Sequence, residues 1–267
     1  MHLASGIGGS VNRRLVLLAP PNQPHTSLRG VATVSSQDVT GADHPLLSSL
    51  QKLRGRICVR EGVVLPSDLD SEGRHVQPAD YTSWHILCAD GRGQVHGCVR
   101  YQRHARNAKF ADLGVAHSPL GRSPRWQTKL QTHVNRELAM ARRRNLAYVE
   151  VGTWVVSEAL RNSGEAVRMV MAVYALGRAM GGALGIATAT TRHNSALILH
   201  RLGGEPLDLP AYYDPRYRSI MRVLRFDSAR PNLRYLNAID SFEPSLAHAP
   251  TTYPNTVPAY AAVAASA

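Results

Sequence analysis

The segment Arg161-Asn162-Ser163-Gly164-Glu165-Ala166 has the residue types that hold a phosphate. It lies between an almost continuously apolar run, residues 148–156, and a stretch with helical periodicity, residues 165–180. A helix beginning there aims its free backbone N–H groups and the positive end of its dipole at whatever lies in front of it. Gly164 and Ala166 leave room for a diphosphate to come close to the backbone, and Arg161 can add charge-assisted hydrogen bonds. Small residues at these positions would equally serve close packing of helix on strand. Glu150 is the carboxylate of the apolar run. One structural role for it there is an ion pair with an arginine. Asn194 heads a short helical run as an N-cap type, and His200 lies within that run.

These residues need a scaffold, and the hydrophobic pattern supplies one. Leu46, Leu47, Leu50, Leu53 and Ile57 fall at helical spacing. The runs 84–89 and 95–101 flank Asp90-Gly91-Arg92-Gly93 and predict an antiparallel hairpin. Ser123-Pro124 predicts the start of a helix reaching about Arg144, with Ser123 as N-cap. Its Arg125, Lys129, Arg136 and Arg143 share one face. Residues 148–156 predict a strand, residues 165–180 a helix with the stripe Val167, Val170, Met171, Tyr174 and Ala175, and residues 186–190 a buried strand. Residues 194–202 predict a helix stopped by Gly203-Gly204, and residues 218–226 a last strand. Strands that alternate with helices predict a mixed α/β sheet, partly parallel, with helices on both faces.

In this setting Arg161-Asn-Ser-Gly164-Glu-Ala166 resembles the pyrophosphate loop of the GNAT superfamily of N-acyltransferases, Arg/Gln-x-x-Gly-x-Gly/Ala. The segment 194–204, ending in Leu202-Gly203, resembles the family's late helix. The resemblance spans residues 46–226 and implies a GNAT-type sheet with a helical insertion before its fourth strand. It implies that Thr153, Val155, Val156 and Ser157, where that strand splays from its neighbour, hold a pantetheine arm. Residues 161–166 (Arg161, Asn162, Ser163, Gly164, Glu165, Ala166) and Asn194 would contact the rest of an acyl-CoA or a phosphopantetheine-linked acyl group. Glu150 matches the family's general base. Leu199 stands where a tyrosine often acts as general acid, which leaves His200 beside it as the candidate. The stretch from Leu53 to Arg100, with Arg54, Arg56, Arg60, Glu61 and Asp80, is similar to the long-chain branch of N-acyl amino acid synthases and acyl-homoserine lactone synthases. That likeness implies an amine-bearing small molecule or peptide as acceptor and an acyl carrier protein as a possible donor, docked on the basic helix face.

Composition bounds the remaining options. Lys and Arg number 31 against 19 Asp and Glu, for a net charge of +12 carried by arginine, which predicts anionic partners without choosing among them. Aromatics make up 6% and none is patterned among the arginines, which ranks a nucleic-acid-binding protein well behind; an inactive GNAT-like binding subunit is the other alternative. No run approaches the roughly 18 apolar residues of a membrane span. Leu15–Ala19 after two arginines is too short for a signal peptide's core, so the expected location is the cytoplasm. Cys58, Cys88 and Cys98 lack metal spacing and suggest reduced thiols, and His75, His85, His96 and His104 lack ligand spacing, so no metal is expected. Residues 1–44 and 228–267 read as flexible N- and C-terminal segments around a domain over 45–227.

Overall fold

In the computed structural model, which describes residues 13–21, 23, 26–35, 44–161 and 163–243, nine strands form one mixed sheet. They are β1 (Arg13–Ala19), β2 (Ala32–Ser35), β3 (Trp84–Asp90), β4 (Val95–Arg103), β5 (Ala147–Val156), β6 (Ala183–Thr190), β7 (Glu205–Pro206), β8 (Tyr212–Asp214) and β9 (Ser219–Asp227). The order is β2-β1-β3-β4-β5-β6-β9-β7, with β8 also on β9. Pairing is antiparallel except between β1 and β2 and between β5 and β6. The helices are α1 (Pro45–Arg60), α2 (Gln127–Arg143), α3 (Gly164–Ala179), α4 (Ser195–Arg201) and α5 (Leu236–Asp240).

The two-residue period of the strands sorts the core onto two faces. Val16 and Leu18 face α1 and pack with its Leu47, Leu50, Leu53 and Ile57. Leu15 and Leu17 point the other way, toward Val170, Val173 and Leu176 of α3. On the α1 side, α2 lays Leu130, Val134, Leu138 and Ala141 on Tyr148, Leu184 and Ile186. Each such buried aliphatic contributes about 1.5–3 kcal/mol of transfer free energy. Among the described residues no helix is long and apolar enough to cross a membrane.

Three sequence expectations change. The segment 1–44 is not flexible throughout, because Leu15–Ala19 are at most 2% exposed as strand β1, next to β3 in the sheet. The run too short for a signal peptide has the right length for a buried strand. Nor is the chain after β9 loose up to residue 243. Every residue of α3 from Met169 to Gly177 is buried, so this helix needs a cover on its outer side as well. Ile239 and Phe242 supply it, and Arg178 ties the cover down through the Ser228 carbonyl, Asp240 and Glu243. The parts of both segments before residue 13 and after 243 lie outside the described residues. Finally, α2 starts at Gln127 with Trp126 as N-cap; Ser123 accepts from the Trp126 and Gln127 N–H groups in a preceding turn.

Candidate active site

A break in one ladder shapes the site. β5 and β6 pair in parallel from Ala147–Ala183 to Val151–Ala187 and then part. β6 runs on against β9 as far as Thr190, while β5 stays on β4 as far as Val156. The cause lies in β5. Opposite β4, Arg100 faces Gly152 and Cys98 faces Val155, so β5 has one residue more than its partner in this interval. Such a bulge bends its strand. Thr153 within it has a φ of +51°, rare for a β-branched residue, and a Cβ on Gly152 would meet nothing within 4 Å. Among the described residues, the β6-side backbone edge of β5 beyond Val151 has no strand partner, so Thr153, Val155 and Val156 sit on the splayed segment. Two buried polar side-chain atoms there, Trp154 Nε1 and Ser157 Oγ, also lack partners. Unpaired buried polar groups of this kind are uncommon.

The splayed segment runs into the start of α3. Ser163 caps this helix, with Oγ accepting from the Glu165 N–H at 3.3 Å. A Cβ built on Gly164 meets nothing within 4 Å, so packing does not require glycine here and the space before the helix end is open. Glu165 pairs with Arg168 at 2.8 Å, which turns its carboxylate to an internal partner. Arg161 Nη2 donates to Glu61 Oε1 at 2.9 Å. Asn162 lies outside the described residues.

On the α1–α2 face, polar groups separate the core under α1 from the core under α2. Arg54 of α1 forms a two-point ion pair with Asp80, which also accepts from Gln51 and the Gln77 N–H. Burial works upward on the Asp80 carboxyl, but Arg54 and these donors outweigh it and hold its pKa below the ordinary carboxylate range. Arg100 Nη1 donates to Gln77 Oε1 at 2.6 Å; burial pushes its guanidinium below its usual value, with Arg54 adding to the shift.

Glu150 stands on this face and departs from expectation. Its carboxylate accepts from the Gly114 N–H at 2.7 Å, the Val115 N–H at 2.9 Å and His104 Nε2 at 3.0 Å. Burial would raise its pKa, but these donors outweigh burial and lower it. A carboxylate so saturated is a weak base. The residue that sequence reasoning passed over is His104, taken as a scattered histidine. Its side chain is 6% exposed, and bonding to Glu150 fixes the Nε2–H tautomer, which leaves Nδ1 as the acceptor nitrogen of the neutral ring. Only a two-residue offset across the β4–β5 pair brings positions 104 and 150 together, and sequence spacing cannot register that.

The two late candidates lie elsewhere. His200 is exposed on α4, with Nδ1–H on the Gly204 carbonyl at 2.9 Å. The buried side of α4 joins the α3 face, opposite Glu150, so the structure does not bring His200 and Glu150 together. Asn194 occupies the N-cap position of α4, but at a φ of +60° and with no side-chain capping bond. The apolar hollow at the base of the splay, of about 20 Å³, is lined by Val151, Val173, Ala187, Leu199 and Phe226.

No family model and no curated protein matches the chain. Solved structures do. A CoA-dependent acyl-homoserine lactone synthase, BjaI, solved with MTA, superposes with a TM-score of 0.55 at 16% identity over 91% of this chain and 96% of that one. The same synthase with SAM and isopentyl-CoA gives a TM-score of 0.54 at 17% identity, with the same shares of each chain. The fold is the one these acyl-homoserine lactone synthase structures have. The GNAT resemblance read from residues 148–204 and the acyl-homoserine lactone synthase likeness read from residues 53–100 thus agree with the fold. FeeM, an N-acyl amino acid synthase from uncultured soil microbes, matches more loosely, with a TM-score of 0.40 at 11% identity over 66% of this chain and 83% of that one. That GNAT-type likeness concerns the fold. The site residues stand on the geometry above.

Proposed function

We propose that the protein is an N-acyltransferase that moves an acyl group from a pantetheine thioester onto a primary amine. The observation that carries this reading is the parting of β5 from β6 beyond Val151, next to an α3 N-terminus with open space at Gly164. An extended pantetheine arm can pair with the free edge of β5 over Thr153, Val155, Val156 and Ser157. Its phosphate then meets the N–H groups of Gly164 and Ala166, with Arg161 alongside. The BjaI structure with isopentyl-CoA supports CoA as the donor's carrier, while the exposed basic face of α2 (Lys129, Arg136, Arg143) suits an acyl carrier protein.

The acceptor amine, on a small molecule or a peptide, enters on the α1–α2 face. Its nitrogen attacks the thioester carbonyl, and backbone N–H groups at the β5 bulge stabilise the oxyanion. His104 Nδ1 takes the proton released from nitrogen, and Glu150 acts through His104 by fixing the tautomer and steadying the imidazolium. The C–S bond then breaks, leaving the amide and a thiolate, which leaves readily without a dedicated acid. This division of labour replaces Glu150 as direct base and His200 as acid.

Incubation with acyl-CoAs and a panel of amines, read by free-thiol release and amide mass, tests the reaction. His104→Ala should lower kcat by about 10²–10⁴-fold, while CoA affinity stays within twofold of wild type. Glu150→Gln should fall between the two and shift the pH–rate profile. No amide from any pair of donor and acceptor would favour an inactive GNAT-like binding subunit.

A further inference from the structure

Two loops follow the two parted strands, and one carboxylate ties both of them to α1. Glu61, the C-cap of α1, lies 2.9 Å from Arg161 Nη2 in the turn before α3. Its other oxygen is 2.8 Å from Arg192 Nη2 and 3.5 Å from His193 Nε2, both in the turn between β6 and α4. Arg60 adds a contact at 3.3 Å, and its guanidinium also bonds Glu158. The Glu61 side chain is 15% exposed, whereas those of Arg192 and His193 are 45% and 51% exposed, so the carboxylate sits beneath cations that face solvent. Burial works upward on its pKa, but Arg161, Arg192 and His193 outweigh it and hold the group ionised.

Arg161 and Arg192 are cations open to solvent, with the exposed His193 ring beside them, and a single exposed ion pair is worth little. Together they converge on one carboxylate next to the turn that leads into α3, and its Oε2, close to Arg192 and His193, is buried without a hydrogen-bond partner. We infer that Glu61 is a placeholder anion: it gathers Arg161, Arg192 and His193 in the protein without donor, and a phosphate group of the donor takes these cations over on binding. The inference rests on the donor site proposed above. Guanidinium groups already gathered need little ordering, which favours binding. Against this, the displaced carboxylate stays close to the incoming phosphate and repels it, which weakens retention and eases departure of the spent carrier. A ligand rich in phosphate, such as CoA with its diphosphate and 3′-phosphate, exchanges better than a single phosphodiester.

Calorimetric titration of the full chain with CoA tests this, with melting curves taken beside it. Glu61→Gln should bind CoA about tenfold more tightly, within the usual range of coupling between charged sites, while melting at a lower temperature than wild type in the absence of CoA. Arg192→Gln should bind CoA at least about fivefold more weakly on the same scale. Wild-type protein that binds CoA, with Glu61→Gln binding it no better, contradicts the exchange alone and makes Glu61 a scaffold for Arg161. If Glu61→Gln does not fold, the arginine variant decides: CoA affinity unchanged in Arg192→Gln overturns the inference. Wild-type protein that takes up no CoA contradicts the CoA-donor reading, and the exchange with it.

Discussion

Helix α1 carries two carboxylate–arginine clusters, and they differ in one respect that decides what each can do. At its middle, Arg54 reaches Asp80, with Arg100 on the far side; both Arg54 and Asp80 are at most 2% exposed. At its end, Glu61 holds Arg161 and Arg192, which are open to water. The stoichiometry is similar, and the solvent is not. A buried pair cannot trade partners, because the ion left behind would be stranded in low dielectric. A half-exposed pair can, because water or a solute anion receives the freed cation at little cost. The first cluster therefore fixes the floor of the α1–α2 face, and the second is suited to exchange.

That contrast can be broken by removing each carboxylate. Asp80→Ala strands Arg54 and should cost about 3–5 kcal/mol, seen as loss of cooperative folding or a large drop in the denaturant midpoint. Acid should act on the buried cluster next. His85 donates from Nε2 to the Asp80 carbonyl, and its burial drives its pKa down from 6.5 to about 4. A base depressed in the folded state is neutral there and protonated when unfolded. Its contribution is thus present above pH 6.5 and lost as pH falls toward 4, at up to about 1.4 kcal/mol per pH unit. His85→Gln should flatten that limb in urea melts. Glu61 has a depressed carboxyl, so its contribution is present above its unfolded value of 4.5 and fades only below it. In the protein without donor, Glu61→Gln should cost no more than about 1 kcal/mol. The smallest effect is that of salt: 1 M NaCl should erase most of the Glu61 contribution and little of the Asp80 one, since screening reaches exposed charges first. Equal salt sensitivity would void the distinction.

The same division explains what the sequence made legible. Elements with strong periodicity over ten or more residues, α1 and α3, could be read, and so could the β3–β4 hairpin, marked by its Asp-Gly turn. The turn from Arg161 to Ala166 was legible because cap, glycine and helix are local neighbours. β1 was hidden because five apolar residues among Gly, Ser and Pro give no period, and only its place between β2 and β3 makes it core. The His104–Glu150 bond and the meeting of Glu61 with Arg161 and Arg192 join positions 46, 100 and 131 residues apart. Such contacts follow from sheet order, which no local pattern encodes. Glu150 was found by its match to the family's general-base position, and the donors at Gly114 and Val115 that depress its carboxyl come from a loop without a motif.

The central claim is that a thioester arm lies in the gap between β5 and β6, and a crystal structure of the protein with CoA tests it most directly. The pantetheine should lie antiparallel or parallel to residues 152–156, with its diphosphate on residues 163–166 and Glu61 turned away from Arg161. CoA bound elsewhere, or a gap that stays empty at saturating CoA, would contradict it.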